Sequence, residues 1–236
     1  MKIKWFNTID STNSAMAASR ESLSDCEVWA ARTQSAGRGQ KGNSWSSAPG
    51  ENLTFSIYLE PVHIAAAAQF AISQAVALGV CGYLAGKGIR ASVKWPNDIY
   101  VQDRKICGIL IENTIGPKMM KSSIVGVGLN LNQTEFPSSV PNPVSVKTLT
   151  GNSYVIDTEL EELLRCILNE YSNIGPQTAG EYLKRLYLKD TPHVFTIAAS
   201  GERRRATIRN VASDGMLEVE FDGGGTGRFA FKEIVY

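Results

Sequence analysis

Apolar and polar positions change period several times along this chain, and each change marks an element. Ile3 to Ile9 reads as a short strand, and Asp10, Ser11 and Thr12 then supply capping oxygens for a helix running to about Glu21. Glu27 to Arg32 and Leu53 to Leu59 have the β-branched and aromatic content of strands. The run from Ile64 to Ala85 is alanine-rich but interrupted by Gln69, Ser73 and Gln74, which predicts a buried helix ending against Gly86 and Gly88 rather than a membrane span. Ala91 to Trp95 is a strand stopped by Pro96. Ile99 to Val101 and Lys105 to Glu112 form a hairpin, Ile124 to Leu131 is a further strand, and residues 135 to 143 carry three prolines and read as an irregular connection. Asp157 to Asn173 places Leu160, Leu163, Leu164, Ile167, Leu168 and Tyr171 on one stripe, with Thr158 and Glu161 as an expected capping box. A second amphipathic helix starts at Pro176 and ends before Asp190 and Pro192.

After Pro192 the period shortens. Val194 to Ala198, Arg205 to Val211, Met216 to Phe221 and Gly227 to Phe231 are short β segments joined by Asp214-Gly215 and Asp222-Gly223 turns. These patterns predict an α+β protein with a boundary near Asp190, dividing residues 1–189 from a small β-barrel of SH3 size over 190–236.

Chemistry concentrates where the pattern breaks. Gln34 to Trp45, QSAGRGQKGNSW, carries glycines at 37, 39 and 42 with two cations, Arg38 and Lys41. It matches G-x-G-x-x-G, but no helix opens after it, so a dinucleotide-binding site is rejected. Either a lid over an anion or a plain solvent loop fits. KWPND at 94–98 places a cation, an aromatic ring and two oxygen-bearing side chains at a strand end, as a site or as ordinary turn chemistry. Gly108, Gly126 and Gly128 interrupt two strongly apolar strands; close approach of a ligand would require this, as would bulges or tight packing. Ser11 and Thr12 read most simply as a helix cap. Arg203 to Arg205 read as a solvated strand start, and His193 as structural.

Composition narrows the classes. A chain of 236 residues with 43% apolar and 20% charged residues is globular, and a formal net charge of +1 provides no long-range attraction to nucleic acid or to an anionic membrane. Cysteines at 26, 81, 107 and 166 have neither zinc nor disulfide-framework spacing, and the N-terminus has no signal-peptide core; both lead to the expectation of a cytoplasmic protein with reduced thiols.

The combination of S-T-N at 11–13, GRGQKG with Trp45 after it, KWPND at 94–98, KICGILIE at 105–112 and GVGLNLN at 126–132 resembles the biotin protein ligases, in order and in spacing. The start of the chain, directly before the catalytic region, resembles the monofunctional group without a DNA-binding domain. The resemblance implies a mixed β-sheet flanked by helices, of class II aminoacyl-tRNA synthetase type, followed by an SH3-like barrel. It implies ATP and biotin as substrates, Mg2+ with the nucleotide, and a biotin carboxyl carrier protein or domain as acceptor, with no nucleic acid or membrane partner; homodimer formation through an exposed sheet edge is left open.

Residue roles follow by the same resemblance. Arg38 and Lys105 would stabilise charge at phosphorus, and Asp98 would order Lys105 or take the acceptor lysine's proton. Ser11, Thr12, Asn13 and Gln34 would hold the polar rings of biotin, with Gly37, Gly108, Leu110, Gly126 and Gly128 shaping its slot. Gly39, Gln40, Lys41, Trp45, Asn97 and Asn130 would meet the nucleotide. Gln40, Lys41 and Asn43 stand where many bacterial members have arginines, which predicts a weaker hold on the adenylate. Two other classes compete: a lipoate or octanoate transferase, and a ligand sensor without catalysis.

Overall fold

Seven strands form one mixed sheet: β1 (Ile3–Ile9), β2 (Glu27–Gln34), β3 (Leu53–Leu59), β4 (Ser92–Lys94), β5 (Asp98–Val101), β6 (Arg104–Ile115) and β7 (Met120–Leu129). The structure, a computed structural model, describes residues 2–236 apart from the Lys41 side chain. Strand order is β1-β2-β3-β7-β6-β5-β4; β1 runs parallel to β2 and the other neighbours are antiparallel. The predicted strands fall within a few residues of these bounds, β1 and β3 with the same limits.

One face of the sheet is apolar. Leu53, Phe55 and Ile57 of β3 and Val125, Val127 and Leu129 of β7 are buried against α2 (Phe70–Gly86), which is buried around most of its circumference. A helix apolar on every side belongs in a core. The window 66–86 is long and apolar enough to cross a membrane by composition alone, yet 67% of it is buried inside this fold. Behind α2 lies α4 (Ile156–Ser172), which approaches so closely that a Cβ on Gly79 would stand 2.5 Å from the Ile167 Cα.

Two expectations change, and one element has no counterpart among them. The Thr158–Glu161 capping box does not form: α4 starts at Ile156, so Thr158 is already helical, and the cap residue is Val155 without a side-chain bond. Helix α5 (Thr178–Lys184) is shorter than its apolar stripe, because the chain leaves it to pair with β4, Val93 N donating to Arg185 O and Tyr187 N to Val93 O. A short α3 (Val146–Thr150), capped by the Ser145 hydroxyl, carried too few residues to show a period.

The C-terminal segment folds as five antiparallel strands, β8 (Pro192–Ile197), β9 (Arg203–Val211), β10 (Leu217–Phe221), β11 (Thr226–Phe229) and β12 (Ile234–Val235), in the order β11-β10-β9-β8-β12. No ladder joins β11 to β12 among the described residues, so the pairing is that of an open sheet. Phe195, Ile208, Leu217 and Val219 bury into the same apolar cluster as α2, and Trp95 Nε1 donates to Gly215 O at 2.8 Å.

A buried polar knot ties α2 to α4. The Tyr83 hydroxyl donates to Glu159 Oε2 at 2.6 Å, and Lys87 Nζ lies 2.7 Å from that oxygen and 2.8 Å from Glu162 Oε2. Burial, then Glu159, pushes the Tyr83 phenol far above its ordinary pKa, so it stays a donor. Glu159→Ala should cost about 2–4 kcal/mol, because a buried hydroxyl and a largely buried ammonium lose their common acceptor while Lys87 keeps Glu162. Urea midpoints check this, and Glu159→Gln, which still accepts from Tyr83, should lose less.

Candidate functional site

Strand alternation sends every second side chain of the sheet away from α2, and in the middle of that face most residues are small or polar, Leu110 apart. Thr54 and Ser56 of β3 stand opposite Gly128 and Gly126 of β7, which pair in turn with Gly108 and Leu110 of β6. Asp98 of β5 is opposite Gly108, extending the same row. The middle of this face is therefore bare backbone.

Two groups lie on the bare stretch. The first is the start of α1 (Thr12–Ala18), which packs through Met16 on Trp29, Tyr58 and Ile124. Ser11 caps it, accepting from Ser14 N at 3.4 Å. Thr12 donates from its N–H and its hydroxyl to Gln34 Oε1, at 2.7 and 3.1 Å. Ser56 Oγ lies 2.7 Å from Thr12 Oγ1 and 2.5 Å from Asn13 Oδ1, while Asn13 Nδ2 donates to Leu110 O and to Glu112 Oε2. A Cβ on Gly126 would lie 2.2 Å from Asn13 Oδ1, so this nest exists only over glycine. Gln34 spends its oxygen on Thr12, which leaves its amide nitrogen as the donor side.

The second group is the glycine loop, a small hairpin. Gly39 N donates to Asn43 O at 2.7 Å and Trp45 N to Gly37 O at 2.9 Å, with one 3-10 turn over Gln40–Gly42 at the tip. The hairpin lays the Trp45 indole flat against β6 and β7: a Cβ on Gly128 would meet Cε2 at 2.3 Å, and one on Gly108 would meet Cζ3 at 3.0 Å. Trp45 Nε1 is buried without a hydrogen-bond partner. Arg38 projects from the same loop, its guanidinium 2.7 Å from Glu112 Oε1.

Between these groups runs a cleft of about 580 Å³. Lys105 Nζ lies on its wall, 2.8 Å from Asp98 Oδ1 and 5.7 Å from the Trp45 ring. Lys94 is half-buried beside it, its ammonium 4.8 and 4.6 Å from the Tyr100 and Tyr236 rings. Burial lowers the Lys94 pKa, Asp98 pulling the other way and Lys105 adding to the fall. Phe231, Ile234 and Tyr236 close one end, so the C-terminal segment forms part of the wall.

The structure brings together most of the expected site residues. Ser11, Thr12, Asn13, Gln34 and Arg38 line the cleft, as do Gly39, Gln40, Trp45, Asn97 and Asp98. Lys105, Gly108, Leu110, Gly126 and Gly128 complete the set. Two stand apart. Gly37 is not on the wall; a Cβ there would strike the Trp45 carbonyl at 2.4 Å, so it serves the hairpin. Asn130 also lies off the wall, its Nδ2 donating to Val144 O at 3.0 Å, which braces the connection after β7. The Lys41 side chain lies outside the described residues. Sequence reasoning missed Ser56 and Glu112 as contributors and gave Lys94 no role beyond its place in KWPND, although a lone serine inside LTFSIYL and a carboxylate in phase with Gly108 and Leu110 were signals. Among the described residues no group of three or more His, Cys, Asp or Glu could hold a metal ion.

A cleft floored by glycine and lined by a neutral polar nest and by the cations of Arg38 and Lys105 has the groups to hold a small molecule carrying a negative charge. Residues 5–130 match the model of the Biotin/lipoate A/B protein ligase family, and the chain belongs to that family. It is 35% identical over 151 residues to the biotin--[acetyl-CoA-carboxylase] ligase of Paracoccus denitrificans, a match covering 61% of this chain and 62% of that protein. It is 32% identical over 142 residues to the bifunctional ligase/repressor BirA of Bacillus spizizenii, covering 58% of this chain but only 43% of the relative. The matches thus span about half the length of such relatives. In fold it is similar to the biotin protein ligase of Aquifex aeolicus in complex with biotin and ATP, with a TM-score of 0.79 at 21% identity over 99% of this chain and 97% of that one.

Because the indole rests on Gly128, Gly128→Ala should expel Trp45 from the sheet. The emission of the ligand-free protein should then shift to the red, and the shift should vanish in a Trp45→Phe background; persistence there would assign it to another tryptophan.

Proposed function

We propose that this chain is a biotin protein ligase that activates biotin with ATP and then transfers it to a lysine of a carrier protein. The observation that carries the reading is the sharing of one cleft by the neutral Thr12–Gln34–Ser56–Asn13 nest and the cations of Arg38 and Lys105. A bicyclic urea needs neutral donors and acceptors, whereas joining an acid to a phosphate needs positive charge.

In the first step a biotin carboxylate oxygen attacks the α-phosphorus of ATP; the bond to the pyrophosphate oxygen breaks, giving biotinyl-5'-AMP and pyrophosphate. Arg38 and Lys105 would offset the charge that develops on the phosphoryl oxygens. Lys105 is already held by Asp98 at 2.8 Å, which favours the ordering role of that carboxylate. Ser11, Thr12 and Gln34 would hold the ring of biotin, and the Trp45 face would cover the nucleotide side. In the second step a lysine amine attacks the acyl carbon, AMP departs with the electrons of the carbon–oxygen bond, and the amine loses a proton. An amine with an ordinary pKa of about 10.4 needs an acceptor for that proton, and Asp98 is the nearest carboxylate on the wall. The acceptor would be a small domain presenting one lysine. Mg2+ would arrive with ATP and take ligands from its phosphates.

This reading treats residues 190–236 as an appended SH3-like domain that completes one wall, and the four free cysteines agree with a cytoplasmic protein.

Exchange of labelled pyrophosphate into ATP should depend on biotin and not on lipoate. Lys105→Ala should lower it by about 10²- to 10³-fold, the range for removing one preorganised group that stabilises developing charge. Exchange driven by lipoate, or none despite biotin binding, would reject the ligase assignment in favour of an acyl transferase or a sensor.

A further inference from the structure

Glu112 joins the two halves of the cleft. It is the third member of the Gly108, Leu110, Glu112 alternation on β6, so its carboxylate stands beside the glycine floor. Arg38 NH2 donates to Oε1 at 2.7 Å and NH1 to Oε2 at 3.3 Å, a two-toothed grip that fixes the plane of the guanidinium. Ser14 Oγ adds a third contact at 3.2 Å. The same Oε2 accepts from Asn13 Nδ2 at 3.0 Å, and this turns Asn13 Oδ1 toward Ser56. One carboxylate thus sets both the direction of the loop's arginine and the face that Asn13 offers the nest.

The side chains of Arg38 and Glu112 are 44% and 31% exposed. An ion pair so open to water adds little to stability, so its effect is geometric. The pair also spans two elements that nothing covalent holds together, the tip hairpin and the middle of β6. An arginine left free would sample many rotamers and present its cation in the cleft only part of the time.

We propose that Glu112 is a positioning residue, which clasps the glycine loop through Arg38 and orients Asn13, so that the cation and the polar nest are held ready for ligand. The role of Arg38 in this inference rests on the ligase reading above; the clasp itself does not. A bound anion would compete for the same guanidinium, whose longer contact, NH1 to Oε2 at 3.3 Å, is the one to yield first.

The test uses the full chain with Glu112→Gln, alone and combined with Arg38→Ala. Gln keeps one acceptor, turns the other into a donor and loses the charge, so the two-toothed grip on Arg38 is lost. In the ligand-free protein, backbone amides of residues 37–45 should exchange with deuterium roughly two- to fivefold faster, the range an exposed ion pair is worth, with Tm unchanged. In pyrophosphate exchange Glu112→Gln should lower kcat and raise the KM for biotin. In the Arg38→Ala background it should lower kcat no further yet still raise that KM. Unchanged loop exchange, or kcat losses that multiply in the double variant, would overturn the proposal. If the wild-type protein shows no biotin-dependent exchange, the ligase reading falls, and deuterium exchange of the loop still decides for or against the clasp.

Discussion

Everything in the cleft depends on one steric constraint, the absence of side chains where β6 and β7 cross the middle of the sheet. Methyl groups at Gly126 and Gly128 would meet Asn13 and the Trp45 indole at 2.2 and 2.3 Å, distances no packed atoms tolerate. With those groups missing, a helix N-terminus and a loop can each lie directly on sheet backbone. The opposite face of the same strands is packed with Val125, Val127 and Leu129 against α2. A strand's period of two lets one segment serve as core on one side and as a floor on the other.

Electrostatics completes the design. Among the described residues, Arg38 of the loop and Lys105 of β6 each have a carboxylate within ion-pair distance, Glu112 and Asp98 respectively. Pairing holds long side chains in fixed positions without removing their charge from an incoming anion. Lys94 is handled differently, boxed by Tyr100 and Tyr236 and partly stripped of water. Because Tyr236 belongs to the C-terminal segment, the two β units meet at the cleft itself.

Much of this was legible in the sequence. The limits of β1 and β3, the buried helix and the β5–β6 hairpin follow from local patterns, and the five motifs that carry the family resemblance converge on the cleft. Local pattern failed where tertiary pairing took over. The end of α5 was drawn into a bridge with β4, and the cap at Thr158 was lost because α4 began earlier than its stripe suggested. A lone serine in β3 becomes part of the nest only because β7 lies beside it with a glycine opposite.

By itself, the sequence determined the family, the positions of the elements and the chemical types at the site, since these depend on residue identity and short-range period. What filled the space above the glycines was decided by tertiary structure alone. That Trp45 and Asn13 occupy it, that Glu112 grips Arg38 across a separation of 74 residues, and that Asn130 braces a connection rather than lining the cleft are consequences of strand order and register. No pattern along the chain encodes register between distant strands. It emerges when the sheet closes over α2 and brings those residues within a few ångströms.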